Sequence, residues 1–376
     1  MSRSPKVAYW NNIPAPYMVD RFDAVARRGA LDFEVWFSEL ETPERSWRVD
    51  RQSWVFAHRL ARVRRVGGLL VGFPPRIPAG EWPDLVVSLY AEQPYLLGLL
   101  QSRLRGGRSA LWVEVTFDSW VRRSPAKECL KRRVFAAADG ILTVGQDGRA
   151  YARKYGAEDA RIHYLPHVID AWRFASESAA RERGLDRLRA ELGLRGVTFV
   201  YVGRLWSGKG VADLIAAFAI AQRSSERELS LLLVGDGPDE AVLRSRCAAD
   251  GLQGVVFAGF RQQDELAAFY AASDVFVFPT LGDPYGLVVD EAMACSLPVL
   301  SSTAAGEIGR RVTEGVTGYL FNPGDVTTLA EHMVHLAGDR ALRRAMGIGA
   351  AYRVSWQSPE AWAIQFERVV LEIVDG

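Results

Sequence analysis

The run Val275 to Ser301, VFVFPTLGDPYGLVVDEAMACSLPVLS, restricts the fold more than any other stretch of the chain. Val275 to Phe278 is short, apolar, β-branched and aromatic, and Pro279 stops it, as expected for a strand buried in a parallel sheet. The loop that follows carries Asp283, Pro284 and Gly286, and Leu287 to Ala294 has helical composition before a second apolar strand. Strand, loop, helix and strand make one βαβ unit. The backbone N–H groups of Tyr285, Gly286, Leu287 and Val288 are then expected unpaired at a helix N-terminus, aimed past the carboxyl edge of the sheet, where phosphate binds.

Asp283 and Glu291 stand eight residues apart, one on the loop and one a turn inside the helix, so both can face a ligand at the helix mouth. A carboxylate there accepts hydrogen bonds from sugar hydroxyls, as the acidic residue of dinucleotide folds does from a ribose. Each acid is equally what an ordinary helix start attracts. The neighbouring segments decide between these readings. Thr198 to Gly210, TFVYVGRLWSGKG, is a strand ending at Gly203, with Arg204 and Lys209 in the loop before the amphipathic helix Val211 to Gln222. Leu231 to Gly237, LLLVGDG, is a strand broken at Gly-Asp-Gly, and Val255 to Phe260, VVFAGF, is another.

Taken in order, GRLxxxKG, LLLVGDGP, VxFxGF, SDVFVFP and DPYGLVVDEAMA resemble the donor-binding half of retaining GT-B glycosyltransferases of family 4, over about 150 residues. The resemblance implies an α/β GT-B fold: two Rossmann-like, doubly wound parallel-sheet domains facing across a cleft, with a C-terminal helix crossing back. It implies a nucleoside-diphosphate sugar as donor substrate rather than a resident cofactor, and transfer to a hydroxyl acceptor with retention, giving an α-glycoside. Gly203, Arg204 and Lys209 would meet the diphosphate, with Tyr285, Gly286, Leu287 and Val288 at the helix start. The base would lie against Phe260 and Arg261, under the turn at Gly235, leaving Glu291 for the ribose and Asp283 for sugar hydroxyls. The family usually has Glu where this chain has Asp283, one methylene shorter, and a displacement of about 1 Å at a reacting centre can be costly in rate.

Negative charge grows on the leaving diphosphate, so positive charge is needed there at the transition state. Arg204 offers a planar fork and Lys209 a mobile point charge, although a bare Arg and Lys in a loop are usually just solvated. No DxD-type cluster or His-rich set accompanies them, so no essential metal is expected. The leaving phosphate itself takes the acceptor's proton in the mechanism the resemblance implies, and no strong protein base is demanded.

At 376 residues, 49% of them apolar, the chain suits two cores. The expected division is an N-terminal acceptor-binding domain over 1–170, a polar interdomain linker over 171–195, the donor domain over 196–354 and a C-terminal helix over 355–376. That helix, marked by Trp356, Trp362, Phe366 and Val370, is expected to pack back on the N-terminal domain. A formal net charge of +1 argues against a nucleic-acid binder driven by bulk charge. Cys129, Cys247 and Cys295 lack CxxC spacing and read as reduced core thiols. The chain enters a strand at Lys6, and no run reaches the roughly 18 apolar residues of a spanning helix. A cytoplasmic protein is expected, with peripheral contact to the inner membrane face as a further expectation.

In the first half, Asn11 and Asn12 follow the first strand in the loop NNIPAPY and either supply side-chain amides to a ligand or simply make the turn. Members of the resembled family often carry a donor-contacting histidine after a later strand. None of the five histidines falls there, and Glu114 or Asp118 is the candidate substitute. His167, in LPHVID, replaces the asparagine of a family turn and reads as a turn residue. Between Arg103 and Arg133 nine Lys or Arg face three Asp or Glu, interleaved with Trp112, Phe117 and Trp120. Such a face suits an anionic lipid carrier, an acidic acceptor or a membrane surface, or is an ordinary solvated basic face. Residues 40–80 resist assignment beyond a hairpin or insertion. The same fold also accommodates a nucleotide-sugar epimerase or hydrolase, or a catalytically silent binding protein.

Overall fold

The computed structural model describes residues 3–41, 47–48, 50–78, 80–90, 92–114, 125–180 and 184–376. They form two compact units, one comprising the described residues up to His167 together with Pro359–Gly376, the other Val168–Ser358.

The first unit is built on a seven-stranded parallel sheet. Its strands are β1 (Lys6–Asn11), β2 (Asp32–Phe37), β3 (Ala57–Leu60), β6 (Leu85–Ser88), β7 (Arg108–Val113), β8 (Gly140–Thr143) and β9 (Ile162–Tyr164), and the hairpin β4 (Arg62–Val66) with β5 (Leu69–Phe73) stands beside it. The order β3-β2-β1-β6-β7-β8-β9 reverses direction between β1 and β6. Alternation along β1 splits its side chains: Ala8 and Trp10 join Trp36, Val86 and Tyr95 in one cluster, while Tyr9 meets Phe22 and Phe366. The hairpin turns at Gly67-Gly68, both left-handed at φ 57° and 81°, a two-residue turn that suits the twist of the strands. Here the described part of the unassigned 40–80 region includes one more parallel strand and an antiparallel pair.

The helix Pro359–Asp375 packs on the helix Pro16–Arg28 within this unit, with Trp362, Phe366 and Val370 buried and Arg28 Nε 2.9 Å from Glu367 Oε1. Trp356, expected on the same stripe, precedes the helix and is exposed. Of the three expected core thiols, Cys247 and Cys295 are buried, but Cys129 is exposed because the helix Pro125–Ala137 buries only Phe135.

The second unit has six parallel strands, β10 (Val197–Val202), β11 (Leu229–Val234), β12 (Val255–Gly259), β13 (Val275–Phe278), β14 (Val299–Ser302) and β15 (Gly318–Phe321). Their order is β12-β11-β10-β13-β14-β15, the doubly wound arrangement with its switch point between β10 and β13. All six residues of β10 are buried, which requires an apolar run rather than an alternating one. Phe199 and Tyr201 pack with Leu231, Val275 and the helix Val211–Ser224 on one face; Val200 and Val202 pack with Leu232, Phe276 and Phe278 on the other. Each such buried side chain contributes roughly 1.5–3 kcal/mol.

The stretch 171–195, expected to be a linker, belongs to this unit. It forms the helices Ala171–Ala180 and Leu185–Glu191, and its apolar residues Phe174 and Leu194 are buried in the unit's core. The polar composition that suggested a linker is the solvent side of these two helices.

Candidate functional site

Side chains gather at the carboxyl ends of β10 and β13, on either side of the switch point. Gly203 N–H donates to Val234 O at 2.9 Å and Leu205 N–H to Asp236 O at 2.7 Å, so the loop after β10 lies against the Gly235–Gly237 turn. The approach is close enough that a Cβ on Gly235 would sit 1.9 Å from Gly203 O. The same loop is tied to the one after β13 by Leu281 N–H donating to Gly208 O at 3.0 Å. These backbone bonds bring Lys209 onto Asp283 across 74 residues of sequence.

Asp283 is held on all sides. Its Oδ2 accepts from Lys209 Nζ, and the two side chains are only 13% and 20% exposed respectively. Its Oδ1 accepts from Tyr285 N–H at 2.9 Å. Its backbone N–H donates to Ala304 O at 3.3 Å and its carbonyl accepts from Gly306 N–H at 2.8 Å, which fastens the loop to the one after β14. The Tyr285 amide, expected unpaired, is therefore occupied: an Asp side chain bonding two residues ahead closes an Asx turn.

The helix Leu287–Ala294 starts after Gly286, which has φ 76° and no side chain that could cap the helix. Among the described residues the amides of Gly286, Leu287 and Val288 have no acceptor, since the first helical bond runs from Val289 N–H to Gly286 O at 3.1 Å. Arg311, which no sequence motif marked, reaches this turn from the short helix Ile308–Arg311 and donates to the carbonyls of Tyr285 and Gly286.

Glu291 is buried one turn into the helix, and Tyr270 Oη donates to its Oε2 at 2.9 Å. Burial pushes its carboxyl up to about 7, against the Tyr270 hydrogen bond and the charge of Arg173, which pull it down. Arg173 sits in the stretch expected to be a linker, so sequence reasoning passed over it. Arg204 is exposed, with no side-chain partner among the described residues, while its carbonyl accepts from Tyr201 Oη at 2.9 Å. Phe260 and Arg261 are half-buried beyond β12, where Arg261 Nη2 donates to Ala258 O at 2.9 Å and the guanidinium lies 5.1 Å from the Phe269 ring centre. A cavity of about 610 Å³ lined by Leu188, Leu192, Arg261 and Phe269 includes none of Arg204, Lys209, Asp283 or Glu291. Among the described residues no group of three or more His, Cys, Asp or Glu side chains could hold a metal ion.

Residues 196–339 match the family model described as glycosyl transferases group 1. Over this segment the chain is similar to the group 1 glycosyl transferases. Its relatives include the N-acetyl-alpha-D-glucosaminyl L-malate synthase of Bacillus anthracis, 30% identical over 55% of this chain and 54% of that protein. A GDP-mannose-dependent monoacylated alpha-(1-6)-phosphatidylinositol monomannoside mannosyltransferase of Corynebacterium glutamicum is 32% identical over 63% of this chain and 62% of its own length. The chain spans between 24% and 62% of the lengths of four such relatives. In structure it is similar to Anabaena HepE, solved in complex with UDP, with a TM-score of 0.77, 98% of this chain and 99% of that one covered, and 17% identity. At that identity the likeness shows the shared GT-B fold alone.

Outside the group 1 segment, the first unit places its own candidates differently. Asn11 Nδ2 donates to Ile13 O at 2.9 Å and Asn12 Oδ1 accepts from Ile13 N–H at 2.8 Å, so both side chains brace their own turn. Glu114 follows β7, and Asp118 lies outside the described residues. His167 is buried: Arg21 Nη1 donates to its Nδ1 at 2.9 Å, which leaves Nε2 to donate to Glu114 Oε1 at 3.3 Å. Burial would raise the Glu114 carboxyl, but the hydrogen bond and charge of His167, with Trp112 and Arg21, outweigh it and hold the carboxyl below its ordinary value. Arg21 had no signal in sequence beyond an arginine on the inner side of an amphipathic helix.

Proposed function

We propose that this chain is a retaining glycosyltransferase that moves a sugar from a nucleoside-diphosphate sugar to an acceptor hydroxyl and forms an α-glycoside. The observation that carries the reading is one arrangement in the group 1 unit. Lys209 and Asp283, three unpaired amides and the buried Glu291 converge at the switch point of a doubly wound sheet. Lys209, Arg204 and the amides of Gly286, Leu287 and Val288 would stabilise charge on the departing diphosphate. Glu291 would take the ribose hydroxyls and Asp283 those of the transferred sugar. Positive charge comes from side chains and a helix end, so turnover is proposed to need no divalent ion.

The UDP named with the HepE structure makes UDP-sugars the first donors to try, and the relatives named above make small hydroxy acids and inositol lipids the first acceptors. A thermal-shift screen of nucleotide sugars, followed by mass spectrometry of products, tests the reading. A new glycoside supports it. A changed nucleotide sugar without acceptor transfer indicates an epimerase or hydrolase, and binding without turnover a silent protein. No described helix is long and apolar enough to cross a membrane. Peripheral contact is proposed on the β4–β5 hairpin, since residues 115–124 of the basic stretch 103–133 lie outside the described residues. One face of that hairpin exposes Val66, Leu69 and Phe73 beside Arg62 and Arg64. Co-sedimentation with anionic but not neutral vesicles is the expected result.

A further inference from the structure

Arg311 belongs to no motif of the sequence, yet its side chain fixes the turn on which the donor reading depends. It is 7% exposed. Its Nη2 donates to Tyr285 O, and its Nη1 donates to Gly286 O at 3.1 Å and to Asp290 Oδ1 at 3.2 Å. The guanidinium lies 4.1 Å from the centre of the Tyr285 ring, so its plane is held by stacking as well as by hydrogen bonds.

A peptide unit is planar, and in the trans form its C=O and N–H point in opposite directions. The described chain contains no cis peptide. Drawing the carbonyls of Tyr285 and Gly286 to one side therefore turns the N–H groups of Gly286 and Leu287 to the other. Those are two of the three amides that have no acceptor among the described residues.

The ion pair itself is a poor source of stability. Asp290 is fully buried, its Oδ2 and the Nε of Arg311 have no hydrogen-bond partner among the described residues, and a cation at a helix N-terminus opposes the helix dipole. Such a pair suits holding a geometry. We infer that Arg311 is a positioning residue that aims the amides of Gly286 and Leu287 at the phosphates of a nucleoside diphosphate. The inference rests on the donor-site reading and adds to it a residue that touches the turn and not the ligand.

The test is calorimetry on the full chain with uridine, guanosine, UDP and GDP, the nucleosides measured by competition. Arg311→Lys keeps a positive charge beside Asp290 but a single ammonium cannot reproduce the fork across two carbonyls. It is expected to lose about tenfold in diphosphate affinity, the size of one hydrogen bond to a charged group, while nucleoside affinity stays within about twofold. Asp290→Asn leaves the fork on the carbonyls and is expected to keep diphosphate affinity. Where Arg311→Lys does not fold, Arg311→Met together with Asp290→Leu removes both charges and carries the same expectation. Unchanged diphosphate affinity, or equal loss for nucleoside and diphosphate, overturns the inference while the donor reading stands. A wild-type chain that binds neither diphosphate overturns both.

Discussion

Replacing Glu291 with glutamine should flatten the dependence of stability on pH, and the size of the effect follows from the burial of one carboxyl. Burial lifts the Glu291 carboxyl from an ordinary 4.5 to about 7. The folded state thus holds a proton that the unfolded chain has already released, and stability falls as pH rises through this window. At 1.36 kcal/mol per unit, the loss between pH 4.5 and 7 is about 3 kcal/mol. A glutamine side chain at this position has the same shape and still accepts the hydrogen bond from Tyr270, so Glu291→Gln removes the titration and little else. Denaturant unfolding of both proteins at intervals from pH 5 to 8 should show wild type losing about 2.5 kcal/mol relative to the variant, since part of the window lies below pH 5. Nucleotide binding should run the other way: under the proposed ribose contact the carboxylate is the form that binds, so wild-type affinity for a nucleoside diphosphate should rise by up to about tenfold per pH unit below 7. The comparison with Glu291→Gln cancels the ionisation of the phosphate itself. Parallel stability curves for the two proteins would refute the burial argument.

Three further outcomes are expected. Lys209→Ala, and separately Arg204→Ala, should raise the barrier to turnover by roughly 2–4 kcal/mol, by analogy with loss of an oxyanion donor; the unfolding midpoint should hold for the exposed Arg204 and fall for Lys209, which leaves Asp283 without its cation, and near-wild-type rates in both would remove the phosphate assignment. Turnover should persist in excess EDTA, and loss restored by magnesium or manganese would contradict the side-chain account of the leaving group. Gly286→Ala should destabilise by about 1–3 kcal/mol in a denaturant melt, because φ is 76° and the new Cβ would stand 2.6 Å from the Phe278 ring; an unchanged midpoint would mean the turn relaxes freely.

Most of the second unit was legible because its strands are apolar runs ended by Gly or Pro, and the helix Leu287–Ala294 falls where composition placed it. The pairing of Lys209 with Asp283 was not legible: it depends on which loops the sheet order sets side by side, 74 residues apart in sequence. Arg311 and Arg173 were missed for a related reason, since a buried arginine reads in sequence like an exposed one until its partners are known. The hairpin at 62–73 was readable in principle from Gly67-Gly68 between two runs of Val and Leu, but the arginines in β4 hid its alternation. His167 looked like a turn residue, and only the packing of Pro16–Arg28 against the sheet brings Arg21 to it.

The proposed division of labour between the two acids gives the most direct test of the proposed donor site. Transfer is measured from the full donor, and nucleoside-diphosphate affinity by calorimetry, in Asp283→Asn and Glu291→Gln. The asparagine carbonyl oxygen can still accept from the Tyr285 amide, so the loop should hold. The ribose is common to donor and product, whereas the sugar is not. Asp283→Asn should therefore lose transfer yet bind the nucleoside diphosphate as well as wild type or better, its negative charge beside Lys209 being gone, and Glu291→Gln should lose both. Undiminished transfer by Asp283→Asn, or equal losses of nucleotide affinity in the two variants, would contradict the account.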